Sequence, residues 1–119
     1  MTDVNLHDAE VMGIEHDEDN KELVLKTVLP SGEKCQVIFQ SVEWWELCSF
    51  GVQNVLFSIA PFDKHSLTKA IIDDQDIPDQ YVQLVNEGHY VLFVIKASIG
   101  LEGWVIAKKM HIGPVAEKV

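Results

Sequence analysis

The sequence contains no arginine. All nine basic residues are lysine, and they face nineteen acidic residues in a chain of 119, for a formal net charge of -10. Without guanidinium groups there is no bidentate grip on phosphate or carboxylate, and the negative excess repels a phosphodiester backbone. Nucleic acid is therefore a poor match as a partner. Cysteine is scarce as well: Cys35 and Cys48 are the two present. They have no second close pair and no His-x3-His partner, so the grouping that holds structural zinc is missing. Both read as buried, inert thiols of a reducing compartment. No apolar run approaches the roughly 18 to 20 residues of a membrane span, and the stretch Met1 to Asn20 is acidic where a secretory signal is basic and then apolar. The expected location is cytoplasmic, with no membrane partner. Gly-x-Gly-x-x-Gly, a phosphate loop and His-Glu-x-x-His are also lacking, so no cofactor or metal is expected.

What is present suffices for a core. Hydrophobic residues make up 47% of the chain against 24% charged, and the length suits one domain over residues 1–119. Leu23, Leu25, Thr27 and Leu29 share one face of a period-2 segment, and Cys35, Val37 and Phe39 share one face of the next. The turn Pro30-Ser31-Gly32 between them predicts a hairpin. Ala9 to His16 reads as a preceding strand, joined through the polar Asp17-Glu18-Asp19-Asn20. Val42 to Phe50, with Trp44, Trp45 and Leu47, reads as a strand covered on both faces. Val55, Phe57 and Ile59 alternate with Leu56, Ser58 and Ala60 in a fifth strand ending at Pro61.

Between Phe62 and Gly88 charge rises and alternation stops. Pro78 and Asp79 open a helix with Tyr81, Val82, Leu84 and Val85 on its apolar face and Asn86-Glu87-Gly88 as its stop. Ser66 to Ile72 fits a short helix better than an irregular edge strand. The almost continuously apolar His89 to Ala97 predicts a strand buried on both faces. After a glycine-containing turn, Trp104, Ile106, Met110 and Ile112 form one face of a last strand, and Val105, Ala107, Lys109 and His111 form the other. The expected fold is α+β and mostly antiparallel: a six- to seven-stranded meander-type sheet or sandwich with one or two short helices, at about residues 66–72 and 78–87. Residues 113–119 are expected to form a frayed tail.

Candidate chemistry is thin. His7-Asp8 and His16-Asp17 pair imidazole with carboxylate, but the two histidines are nine residues apart. In a strand that puts them on opposite faces, roughly 30 Å apart. Ser98-Ile99-Gly100 lacks the first glycine of a nucleophile elbow and leads into a strand. Glu43 and Glu46 flank the tryptophans as a pair of glycosidase acids would, yet their odd spacing separates them across a strand. No catalytic residue is assigned. Trp44, Trp45, His89 and Trp104 are candidates for lining a small-molecule or catalytic pocket. The acids are the most uneven feature. Eight fall within the first 22 residues, and Asp73, Asp74, Asp76 and Asp79 form a second group.

Three segments, Leu6-His7-Asp8-Ala9-Glu10 running into Val11 to Asp17, Phe50-Gly51-Val52-Gln53-Asn54-Val55, and Ser98-Ile99-Gly100-Leu101 before a strand ending Ala107-Lys108, give a pattern that resembles small bacterial proteins of unknown function, some of them immunity proteins from toxin loci. The resemblance implies an antiparallel β domain that binds and neutralises a protein without catalysis. Combined with the charge, it predicts a basic protein partner held by Asp8, Glu10, Glu15, Asp17, Asp19, Asp73, Asp74 and Asp76. A homo-oligomeric structural subunit, such as a homodimer formed by strand-edge pairing, is the further alternative.

Overall fold

A computed structural model describes residues 5–114. The first three strands, β1 (Glu10–Asp17), β2 (Glu22–Val28) and β3 (Lys34–Gln40), form the expected meander. Its first turn is closed by Asp17, whose carboxylate accepts the Asn20 side-chain amide at 2.7 Å and the Asn20 backbone N–H at 3.2 Å. At the second turn Gly32 takes φ +90° and its N–H donates to Leu29 O. Leu23, Leu25, Cys35, Val37 and Phe39 are buried on one face as their spacing requires. Thr27 joins them because its hydroxyl donates to Cys35 O at 2.9 Å, which removes the cost of burying it.

A second meander follows β4 (Trp44–Cys48). It consists of β5 (Val55–Phe62), β6 (Val91–Ile99) and β7 (Glu102–Ala107), with helices α1 (Lys69–Gln75) and α2 (Asp79–Asn86) inserted between β5 and β6. Helix α1 starts three residues later than the spacing suggested. Ser66 is held in a turn by the Asp63 carboxylate, which accepts the His65 and Ser66 N–H groups, and Thr68 caps the helix by accepting the Ile71 N–H. Strand β5 runs on through Pro61, which is tolerated because among the described residues β1 pairs with β5 at Val55 and not beyond.

The sheet has eight strands rather than six or seven, in the order β4-β7-β6-β5-β1-β2-β3-β8. The additional strand arises at Lys108. This residue breaks the last apolar series into β7 and β8 (Lys109–Pro114), and its N–H donates to Gln40 O. One inserted residue exchanges the faces. Val105 and Ala107 are buried with Phe39, and after the break it is Met110 and Ile112 that pack against that same cluster, not against the Trp104 face. A matching corner at Ser41, with φ 55°, bends β3 into β4. The two bent ribbons stay paired across the corner, from Cys35↔Pro114 to Cys48↔Glu102. Since β4 continues β3 and β8 continues β7, the two ends of the sheet meet and it closes as a barrel. Gly113 and Pro114, expected in the tail, are thus strand residues paired with Gln36 and Cys35; residues 115–119 lie outside the described residues.

Two apolar layers result. Inside the barrel, Val11, Leu23, Leu25, Val37, Phe39, Leu56, Phe93, Ile95 and Val105 form one cluster, with Trp45 and Leu47 packed on it. On the outside of β6 and β7, Leu92, Val94, Trp104 and Ile106 are covered by Ile77, Tyr81 and Val85 from the helical segment. This is why β6 reads as apolar on both faces.

Candidate binding surface

Barrel closure between β1 and β5 is narrow. Asp8 N–H donates to Leu56 O, Leu56 N–H to Ala9 O and Val11 N–H to Asn54 O, and a single residue pair, Glu10↔Val55, is in strand register. Val55 also pairs with Ile99, so Glu10, Val55 and Ile99 lie abreast across three strands. Their neighbours Val11 and Leu56 point into the barrel, so this row points outward. Register shifts on either side of Leu56 send both Leu56 and Ile59 inward and leave Phe57 outside. Met12, after the inward Val11, is also outside. Among the described residues this leaves a seam around Glu10 in which Met12 is 60% exposed, Phe57 53% and Ile99 50%.

The loop beside the seam is fixed by Asn54, which is buried. Its Oδ1 accepts the N–H groups of Gly51 (2.9 Å) and Leu101 (3.1 Å), and its Nδ2 donates to Gly51 O at 2.9 Å. On the other side the His7 ring meets the Phe57 ring edge-on, centroids 5.2 Å apart, and its Nδ1 lies 3.2 Å from Phe57 O. Asp8 takes φ 67° there and leaves its carboxylate in solvent, 3.7 Å from His7 Nε2. Asp8 and Glu10 therefore flank apolar side chains.

The remaining acids are elsewhere. Glu15 pairs with Lys26 across β1 and β2 at 3.2 Å. Asp17 is occupied in its turn and held below the ordinary carboxylate value, first by the Asn20 side-chain hydrogen bond. Asp19 is exposed in the same turn. Asp74 and Asp76, together with Glu46, Glu102 and Lys96, line an open cleft of about 720 Å³ between β4 and the end of α1, and Asp73 is exposed beside them. No residue of the first acidic stretch lines that cleft.

Of the pocket candidates, Trp44 and Trp45 share a second cleft, of about 440 Å³, at the barrel corner. Trp104 lies instead beneath Tyr81, centroids 5.7 Å apart and 3% exposed, at the floor of the first cleft. His89 is exposed and lines neither cleft. The position next to it does contribute: Tyr90 lines the second cleft, and its hydroxyl donates to Glu43 Oε1 at 3.4 Å. Burial, and then the Glu43 carboxylate, push the Tyr90 phenol above its ordinary 10.0. In an apolar run such a tyrosine reads as core, and its hydroxyl was the signal that one end needs a polar partner.

Cys35 is buried as expected, but Cys48 is exposed, because it lies on the outward face of β4 with Trp44 and Glu46. Among the described residues no group of three or more His, Cys, Asp or Glu side chains is placed to hold a metal ion, and no helix is long and apolar enough to cross a membrane. No protein-family model, no curated protein and no solved structure matches the chain.

Proposed function

We propose that this chain is a non-enzymatic protein-binding domain of the immunity-protein kind, acting in the cytoplasm, and that its partner is a basic protein seated on the β1–β5–β6 seam. The observation that carries the reading is the exposure, among the described residues, of Met12, Phe57 and Ile99 around the outward Glu10–Val55–Ile99 row. Exposed large apolar side chains grouped on one face in this way mark protein interfaces. Glu10 within the seam and Asp8 beside it, in a chain of net charge -10, favour a positively charged partner and speed its approach. The apolar centre supplies affinity and the acids supply orientation.

The test is co-expression with the products of the genes flanking its own, followed by purification at low and high salt. A complex that weakens with salt and is lost in the double variant Met12→Ser, Phe57→Ser supports the reading. Absence of any complex at either salt overturns it.

A further inference from the structure

The corner cleft lies apart from the seam, and it carries a different inference. Its walls are aromatic: Trp44, Trp45 and Tyr90. Trp44 is 49% exposed, yet it is held in place. Its ring stacks on Tyr81 at an interplanar angle of 12°, with centroids 6.2 Å apart, and its Nε1 donates to Glu46 Oε2 at 3.1 Å. Trp45 packs on the barrel core and meets the His16 ring edge-on at 4.8 Å. An exposed indole fixed from two sides has already lost its rotamer freedom, so binding on its face carries little entropic cost.

The charge of the cleft differs from that of the chain. Lys21 and Lys108 face Glu18 and Glu43 there, so the lysines and acids cancel on a molecule of net charge -10. Tyr90 links opposite signs, its hydroxyl on Glu43 and its ring 5.6 Å beneath the Lys108 ammonium. Such a cleft selects neither an anion nor a cation. It offers ammonium and hydroxyl donors next to carboxylate acceptors, around flat apolar faces. A ligand with vicinal hydroxyls, each able to donate and accept, and an apolar ring face for the indole meets those demands together. The volume of about 440 Å³ falls within the range of small-ligand sites.

We propose that the corner cleft is a binding site for a neutral saccharide of one or two rings, with Trp44 as its stacking platform and Glu43 and Lys108 as hydrogen-bonding groups. The site is independent of the seam and of any protein partner there.

The experiment is a titration of the intact chain, followed by tryptophan fluorescence and by amide chemical shifts, with cellobiose, maltose, lactose and N,N′-diacetylchitobiose. The expected result is saturation by at least one of them, at a dissociation constant on the order of 1 mM, with shifts confined to residues around Trp44 and Tyr90. Trp44→Ala should weaken it at least about tenfold while its circular dichroism and thermal midpoint show that the barrel is intact. Glu43→Gln, a second surface change, should weaken it less. No saturation by any of the four up to tens of millimolar overturns the proposal. So does saturation that Trp44→Ala leaves unchanged, or binding of choline or phenylacetate in preference to the sugars.

Discussion

The amide of Leu101 donates to the side-chain oxygen of Asn54 across 47 positions of sequence, 3.1 Å away and out of solvent. The same side chain holds Gly51 from both sides and approaches Val11 O. One amide group thus ties together the β4–β5 loop, the β6–β7 turn and the start of β1, where closure through β1 and β5 is narrowest. Replacing Asn54 by Ala leaves the Leu101 N–H buried without an acceptor and frees the loop. A loss of about 3 kcal/mol is expected, read from urea unfolding. A loss below about 1 kcal/mol would show that water replaces the side chain and that the loop is not held by it.

Gly100 meets the same residue from the other side. It takes φ +84°, and a Cβ there would lie 2.4 Å from Asn54 Oδ1 and 2.5 Å from Gln53 O. Gly32 has a similar φ of +90° with nothing within 4 Å. The two positions separate backbone strain from steric clash. Gly32→Ala should cost the strain alone, about 1 kcal/mol, whereas Gly100→Ala adds a collision with backbone for a total of about 3 kcal/mol or more. Equal losses in parallel unfolding curves would refute the close approach.

Much of this arrangement was legible in the sequence wherever neighbours alone decide it. Leu23 and Leu25 are buried as alternation requires because both flanking strands, β1 and β3, lie close in sequence, and Cys35, Val37 and Phe39 follow through their pairing with β2. Alternation stops being a guide where one residue is inserted. Lys108 looked like a blemish in a single strand and is a corner, and the shifts around Leu56 separate Phe57 from Ile59 although both stand at odd positions. Closure of the barrel depends on such corners at Ser41 and Lys108 coinciding across a ribbon, and no local pattern encodes that coincidence. The seam was hidden for a related reason. Met12, Phe57 and Ile99 stand in apolar strand segments, and among the described residues they stay exposed because the helical segment lies over Leu92, Val94, Trp104 and Ile106 instead. Trp44 and Trp45 were visible as a pair, while Trp104, equally aromatic, is claimed by the helix layer through Tyr81.

The first turn makes a prediction about acid. The Asn20 side-chain amide on Asp17, followed by its backbone N–H, holds the Asp17 carboxyl below its ordinary 3.8. A folded-state pKa lower than the unfolded one contributes stability above the ordinary value, and that contribution is lost as pH falls through the folded value. Asn20→Ala should therefore move the Asp17 titration, followed by side-chain NMR shifts, upward toward 3.8. An unchanged midpoint would mean that the turn does not form in solution.

The two thiols should behave unequally. Cys35 is buried, with Sγ 2.9 Å from Thr27 Oγ1, and Cys48 is exposed on β4. A thiol reagent under native conditions should modify Cys48 within minutes and Cys35 only on unfolding, giving one equivalent before denaturant and a second after it. Cys48→Ser should abolish the first equivalent. Two fast equivalents would contradict the packing of the barrel interior at β3.

Tyr90 provides the last test, at the alkaline end. Burial and then the Glu43 carboxylate raise its phenol above 10.0. Because the folded value exceeds the unfolded one, the associated stability is fully present below pH 10.0 and is lost as pH rises through the folded value. Comparison with Tyr90→Phe isolates this contribution from the rest of the wild-type curve. The variant should lose stability less steeply with pH above 10 than the wild type, in thermal unfolding at matched ionic strength. Glu43→Gln should shift phenolate absorbance to lower pH while burial keeps part of the elevation. If Glu43→Gln leaves the absorbance titration where it was, the carboxylate does not reach the phenol. The corner cleft would then lack the Tyr90–Glu43 link that, with Lys108 over the ring, holds its opposite charges together.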